Sequence, residues 1–276
     1  MRRHAPKARF LFLLAVIVGL SWLGCHVAGW AHTVSPAGRA VRVVSYNILA
    51  GDRGLAGIAE TLKQADADLI ALQEVDQGTR RSGRVDQAAE LGKALKMQHA
   101  FVEHFPYQGG KFGVALLSRH PIVKAERRGV KGSRLAQLDA TVRTPSGDVR
   151  VLVVHYSVTF PFRDAKETAA ADAARLREAT ATAALARSAT GPVLVLGDMN
   201  DDTGSPVYEQ FSPTLQDACD VKGHGIAKTW NSALPITRID YVWASRQFVV
   251  DGCRTVPSGA SDHLPVVADL HFGSQG

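Results

Sequence analysis

Eight residues of this chain carry side chains that could share one reaction: Asn47, Glu74, His155, Asp198, Asn200, Asp240, Asp262 and His263. Six offer amide or carboxylate oxygens and two offer imidazoles. Hard oxygen donors, with no cysteine or histidine pair at zinc spacing beside them, select Mg²⁺ or Mn²⁺ over Zn²⁺. Such a cation polarises a phosphoryl oxygen and stabilises charge on a leaving oxygen. Histidines beside carboxylates add a proton donor and a hydrogen-bonding partner for phosphate. The residue types thus point to metal-assisted chemistry at a phosphoester.

The positions of these residues indicate which elements must hold them. Asn47 closes the stretch 43–47, Glu74 the apolar stretch 69–74 and His155 the stretch 151–155, while Asp198 and Asn200 follow 193–197. In an α/β sheet the carboxyl ends of strands converge on one crevice, so groups far apart in sequence can meet there. Each residue alone reads more readily as a helix cap or turn former. Five of them at such ends, with Asp240 inside a strand and an Asp-His pair at 262–263, exceed what capping explains.

β-branched and apolar runs predict strands at 41–48, 69–72, 114–117, 122–125, 138–142, 149–154, 193–196, 238–244, 248–250 and 264–270. Apolar spacing predicts helices at 55–64 and 85–95, and an alanine-rich tract at 165–189 predicts the longest helix. Gly147-Asp148 reads as a hairpin turn, and Ser205-Pro206 as the cap and first position of another helix. There is no repeat and no linker after residue 40, so one α/β domain over 41–272 is the expectation.

Residues 1–31 stand apart. Arg2, Arg3, Lys7 and Arg9 precede the apolar run 10–20 with no acid nearby, and small residues follow (Gly24, Cys25, Ala28, Gly29, Ala31). This is the pattern of an export signal, with 29–31 as one cleavage stretch. The same residues also fit an uncleaved membrane anchor, since 10–30 is long enough to span a bilayer, or a lipidated Cys25 in Leu23-Gly24-Cys25. Under each reading the positive end stays in the cytoplasm and the rest is exported, to a periplasmic, extracellular or outward-facing membrane location. Residues 32–40 read as a linker.

The leader changes the meaning of the charge. The chain carries 32 basic and 26 acidic residues, a net charge of +6. Four of the basic residues and none of the acidic ones lie in 1–31, which leaves 28 against 26 for the exported part. That near balance weakens any inference to a nucleic-acid surface. Beyond the leader only Cys219 and Cys253 remain. In an oxidising compartment two cysteines favour a disulfide, although two separate buried thiols have the same spacing.

The segments SYNIL (45–49), IALQEVD (70–76), GVALLSRHPI (113–122), VVH (153–155), VLGDMND (195–201), RIDYVWAS (238–245) and SDHLPV (261–266) together resemble the ordered motifs of the endonuclease/exonuclease/phosphatase superfamily. That group holds exonuclease III-type enzymes, DNase I, inositol-phosphate phosphatases and neutral sphingomyelinases. The resemblance runs from about Val41 to Leu270. It implies a four-layer α/β/β/α sandwich of two mixed β-sheets flanked by helices. It also implies roles: Glu74 as principal metal ligand aided by Asn47 and Asp262, Asp198 orienting or deprotonating the attacking water, and Asn200 holding water or phosphate. His263, fixed by Asp240, would contact the scissile phosphate, and His155 would stabilise pentacovalent phosphorus or protonate the leaving group. Water attacks in line in this family, without a covalent enzyme intermediate.

Arg119 and Arg134 occupy places where relatives carry arginine, with phosphate contact and a structural role both open. Tyr156 departs from the leucine common after the VVH histidine, and is a candidate substrate contact. Arg80, Arg81 and Arg84 form a cluster that reads as a solvated loop or as a contact for an anionic substrate or headgroup. Phe160 and Phe162 read as core, or as contacts for lipid or a base. The expectation is an exported, monomeric, Mg²⁺- or Mn²⁺-dependent phosphodiesterase, its substrate a nucleic acid or a phospholipid or small phosphoester. The alternatives are a non-catalytic phosphate-binding module on the same fold, against which Glu74 and Asp198 stand, and an envelope interaction protein tethered by the leader.

Overall fold

The structure, a computed structural model, describes residues 40–159, 164–223 and 227–273. The leader, nearly all of the linker, and Phe160 and Phe162 lie outside the described residues. In chain order these form β1 (Val41–Asn47), α1 (Leu55–Ala65), β2 (Leu69–Gln77), α2 (Gln87–Leu95), β3 (Gln98–Tyr107), β4 (Gly110–Ser118), β5 (Ile122–Gly129), β6 (Ala136–Thr144), β7 (Gly147–His155), α3 (Ala165–Arg187), β8 (Val193–Asp198), β9 (Leu215–Asp217), α4 (Ala218–Lys222), β10 (Asp240–Ser245), β11 (Phe248–Thr255) and β12 (Val266–Phe272).

Two six-stranded sheets result, ordered β11-β12-β1-β2-β4-β3 and β5-β6-β7-β8-β10-β9. Each contains one parallel pair, β1 with β2 in the first and β7 with β8 in the second; the other pairings are antiparallel. A parallel pair needs a crossover, supplied by α1 and by α3. Val43, Leu69, Ala71 and Leu116 of the first sheet bury against Leu138, Val151, Leu194 and Val242 of the second. Ile58 and Leu62 of α1 and Leu91 of α2 cover the outer face of the first sheet. Ala179 and Ala183 of α3 cover the second. The layers are therefore α/β/β/α. Strands buried on both faces read as continuous apolar runs, which is why β1, β2 and β8 were visible in the sequence.

Capping sets the helix starts. Asp86 accepts a hydrogen bond from Ala89 N at 3.1 Å, so α2 begins at Gln87 rather than at 85. Asp164 accepts from Glu167 N at 2.8 Å and starts α3 as expected. Two expectations need correction here. Ser205 Oγ accepts from Tyr208 N at 3.2 Å, but only a 3-10 turn at Tyr208–Gln210 follows. The β6–β7 hairpin turns at 145–146, because Thr144 already pairs with Gly147. β3 was not anticipated at all.

Cys219 of α4 and Cys253 of β11 form a disulfide, with Cα atoms 4.9 Å apart. β11 is an edge strand of the first sheet, and α4 follows β9, an edge strand of the second. The bridge therefore ties the two sheets together along one side.

Candidate active site

The carboxyl ends of the two parallel pairs meet. Asn47 ends β1, and its Nδ2 donates to Glu74 Oε1 at 3.1 Å and across the sheet interface to Asp198 Oδ2 at 3.0 Å. In the second sheet, register alone lines up three groups: His155 pairs with Asp198 across β7–β8, and Asp198 with Asp240 across β8–β10. Gly197 makes this row possible, because a Cβ there would lie 2.1 Å from Val154 O. No side chain fits between the backbones at that point.

Glu74 does not follow simple strand alternation. The register with β4 shifts between Leu72 and Val75, a bulge that places two residues of β2 opposite one. Glu74 takes a left-handed φ of 55° within it. Bulges re-aim side chains next to functional sites, and this one frees Glu74 from the pleat while Gln73 stays fully buried. Asn200 also has a positive φ, 50°. Its N–H donates to Asp198 Oδ1 at 2.9 Å and its Nδ2 to Tyr156 O at 2.9 Å.

The Asp-His pair arrives on a separate turn. Ser261 Oγ donates to Asn47 O at 2.7 Å and accepts from His263 N at 3.2 Å. His263 Nδ1 meets Asp240 Oδ2 at 2.8 Å, and its Nε2 lies 3.8 Å from Asp198 Oδ2. His155 Nε2 lies 3.7 Å from that same oxygen. Burial works against a charged His263. Asp240, Asp198 and Asp262 outweigh it and push its pKa up to about 10, so the ring is an imidazolium at neutral pH. Burial, followed by the Asp240 charge, raises the Asp198 pKa.

All eight residues named from the sequence thus gather at one end of the sandwich. The three further candidates do not behave alike. Tyr156 is a correction: strand alternation turns it away from His155, and its hydroxyl is buried against α3, donating to Thr182 Oγ1 at 2.6 Å. Replacing it by Phe should cost about 1 kcal/mol for the lost hydrogen bond, seen as a lower urea midpoint, with KM unchanged. Arg119 is a second correction. It follows the end of β4, beside Leu69 at the start of β2, and pairs with Asp66 and, at 3.7 Å, with Asp68. That is the opposite end of the sheet from Glu74. Arg134 stacks over Phe105, 4.4 Å from the ring centroid, on the wall that also carries Phe112 and His155.

Several supporting residues carried no sequence signal. Thr229 Oγ1 accepts from Ile239 N and Asp240 N at 3.2 and 3.3 Å, and Trp230 Nε1 donates to Asp262 Oδ2 at 3.4 Å. Glu178 of α3 accepts from Ser157 N at 2.7 Å, and Arg175 donates to Ser157 O at 3.0 Å. Together they hold the segment after His155. His104 lies beside His155, ring centroids 5.9 Å apart, and its Nδ1 accepts from Ala136 N at 3.0 Å. Burial, then the His155 and Arg127 charges, hold its pKa well below the ordinary value. The folded protein keeps His104 neutral while the unfolded chain protonates near pH 6.5. Stability is therefore present above that pH and is lost as pH falls below it. Urea midpoints at pH 8 and pH 5.5 should differ more for the wild type than for His104→Asn, whose side-chain oxygen can still accept from Ala136.

Four carboxylates (Glu74, Asp198, Asp240 and Asp262) face two histidines, His155 and His263. Asp240 Oδ1 is buried without a hydrogen-bond partner among the described residues, and ligand atoms of Asp198, Asp240 and His263 lie within 4.8 Å of one another. This excess of negative charge, two of its carboxylates buried and two half-buried, fits a divalent cation. His263 Nδ1 is already committed to Asp240, so the oxygens of the half-buried Glu74 and Asp262 are the freer donors. Asn47 turns its oxygen to Leu49 N at 3.1 Å and faces the carboxylates with its nitrogen. As it stands it is a hydrogen-bond donor, and its amide must turn over to offer oxygen to a cation.

The model of the Endonuclease/Exonuclease/phosphatase family matches residues 44–263. No curated protein matches the sequence. Among solved structures, an endonuclease/exonuclease/phosphatase from Beutenbergia cavernae DSM 12333 superposes with a TM-score of 0.68 at 23% identity, over 85% of this chain and 72% of that one. The human Nocturnin catalytic domain with bound sulfate gives 0.62 at 22%, over 85% and 94%. The mannosyl-6-phosphatase Bt3783 of Bacteroides thetaiotaomicron VPI-5482 gives 0.62 at 18%, over 84% and 100%. Ordered motifs, paired sheets and a carboxylate-histidine cluster at their shared end lead to one conclusion: the chain belongs to the endonuclease/exonuclease/phosphatase family of phosphoester hydrolases.

Proposed function

We propose that this chain is an exported, divalent-metal-dependent phosphodiesterase that cleaves its substrate by in-line attack of water. The observation that carries the reading is the convergence of Asn47, Glu74, Asp198 and the His263–Asp240 pair, from both sheets, within hydrogen-bonding or ion-pair distance of one another. Glu74 and Asp262 would hold Mg²⁺ or Mn²⁺, with Asn47 beside them. When bound, the cation neutralises phosphoryl charge and stabilises the leaving oxygen. Asp198 accepts the proton of the attacking water, oriented by donors from Asn47 and from the Asn200 backbone. His263, charged and held by Asp240, donates Nε2–H to a non-bridging phosphate oxygen. His155, at 3.7 Å from Asp198, is placed to stabilise the pentacovalent phosphorus or protonate the leaving group.

Export is supported by the basic-then-apolar residues 2–20 and by the disulfide, which belongs to oxidising compartments. The balanced charge of the exported part argues against tight duplex binding. The test uses the full chain with bis(p-nitrophenyl) phosphate, plasmid DNA, RNA, sphingomyelin and inositol phosphates, with Mg²⁺, Mn²⁺ or EDTA. Turnover of the aryl diester with metal and its loss in EDTA are expected. Turnover that survives complete chelation contradicts the metal assignment.

A further inference from the structure

Beside the candidate active site, the loop after β2 and the β3–β4 hairpin bring two guanidiniums over one bare stretch of backbone. Nη1 of Arg84 and Nη1 of Arg80 lie 3.1 and 3.8 Å from the point where a Cβ on Gly109 would stand. Gly109 has a φ of +78°, so glycine both permits the turn and leaves the space open. No ion pair joins either arginine to a carboxylate among the described residues. Among the described residues Arg84 donates to two carbonyls, Gly109 O at 3.1 Å and Gly78 O at 3.4 Å. The nearby acids are engaged elsewhere: Asp76 takes two bonds from Arg81, at 2.7 and 2.9 Å, and one from Thr79 at 2.7 Å. Glu103 pairs with Lys111 at 3.4 Å.

Both arginines are exposed, so their mutual repulsion is screened by solvent, and an anion between them would remove what remains; the loop is built to keep them there. Arg80 N and Arg81 N donate to Gln108 O and Oε1, at 3.2 and 3.0 Å, and Arg84 N donates to Thr79 O at 2.9 Å. Arg84 and Gln108 themselves hold positive φ angles, 67° and 47°. The patch is continuous with the site: Arg81 stacks over Tyr107 and Phe112 at 4.7 and 5.4 Å, and Phe112 lies 6.4 Å from the His155 ring. Asp76, which anchors Arg81, is two residues beyond Glu74 on β2.

We propose that Arg80 and Arg84 form a subsite for a second phosphate carried by the substrate, distinct from the phosphodiester that is cut. Guanidinium forks match phosphate oxygens in pairs, and a pair of them suits a terminal phosphomonoester dianion. The proposal rests on the phosphodiesterase reading for its role in turnover, and on the arginine geometry alone for binding. The second phosphate belongs to a nucleotide or to a lipid headgroup, and the experiment separates the two.

The full chain and its Arg80→Gln and Arg80→Gln/Arg84→Gln variants are compared in three measurements. The first is turnover of bis(p-nitrophenyl) phosphate with Mg²⁺, expected to be the same for all. The second compares the dinucleotide TpT with its 5′-phosphorylated form, and phosphatidylinositol with phosphatidylinositol monophosphate in detergent micelles. A preference of at least about tenfold in kcat/KM for the phosphorylated member of one pair, expressed in KM and lost in the double variant, is expected. The pair that shows it names the source. The third is the rise in Tm caused by inorganic phosphate in EDTA, expected to be smaller in the double variant, which keeps His263 as a donor to phosphate, than in the wild type. Arg80 makes no described side-chain hydrogen bond, so the single variant tests the subsite without risk to the fold. Preference that persists in the double variant, or phosphate protection undiminished there, overturns the proposal, as does the absence of both from the wild type. Failure of aryl-diester turnover alone overturns the phosphodiesterase reading and leaves the phosphate-protection test decisive for the subsite.

Discussion

Asp198→Asn is expected to lower kcat/KM for bis(p-nitrophenyl) phosphate by at least about 10³-fold, the scale of losing a positioned general base, while leaving Tm unchanged or higher. Both halves follow from where the carboxylate sits. Its Oδ2 is shared by Asn47 Nδ2 at 3.0 Å and faces His155 and His263 at 3.7 and 3.8 Å, so it touches contributions from both sheets. An amide of the same shape keeps the volume and can still accept from Asn47, but cannot take a proton from water. A buried carboxylate beside Asp240 is also a burden on the fold, as the upward direction of its pKa indicates. Removing that charge relieves repulsion, and stability is often gained where activity is lost. Near-wild-type turnover by a folded variant would remove Asp198 from the reaction.

Reducing the Cys219–Cys253 bridge, or replacing both cysteines by alanine, is expected to cost about 4 kcal/mol, from the entropy of closing a loop with a sequence separation of 34. For a domain of this size that corresponds to a fall in Tm of roughly 10 °C. The bridge lies at the sheet edges rather than at the strand ends holding Glu74 and Asp198, so kcat below the new Tm should be unchanged. Thermal unfolding with and without reductant measures the first effect, and aryl-diester turnover the second. An unchanged Tm would show that the inter-sheet core alone holds the sheets together.

How much was legible depended on burial and direction. β1, β2, β7 and β8 are buried on both faces and announce themselves as apolar runs, with the active-site candidates at their ends. β3 is an edge strand with His99, Glu103, His104 and Pro106 in its run, so it lacks both alternation and continuity. The Glu74 bulge left no trace, because two residues opposite one is a property of the pairing with β4. Tyr156 was misplaced although the information was present: if His155 faces the crevice, the pleat sends its neighbour to α3. Arg119 was misplaced for want of information, since an apolar run does not reveal which way its strand points. Thr229 and Ser261 act through single side-chain oxygens on irregular segments, where no periodicity marks them.

The division of the site between two parallel pairs has a consequence in time as well as in space. Asn47 and Asp198 are 151 residues apart in sequence, and Ser261, which docks the Asp-His turn, bonds to Asn47 across 214. β1 pairs with β12, the last strand. Such distant contacts form late in folding, and a chain emerging from the ribosome has β1 long before it has β12. A partial chain that stops short of the Asp-His turn lacks two of the eight residues. The site is therefore latent until the Asp-His turn has docked on β1, and a nascent or unfolded chain carries its chemistry switched off.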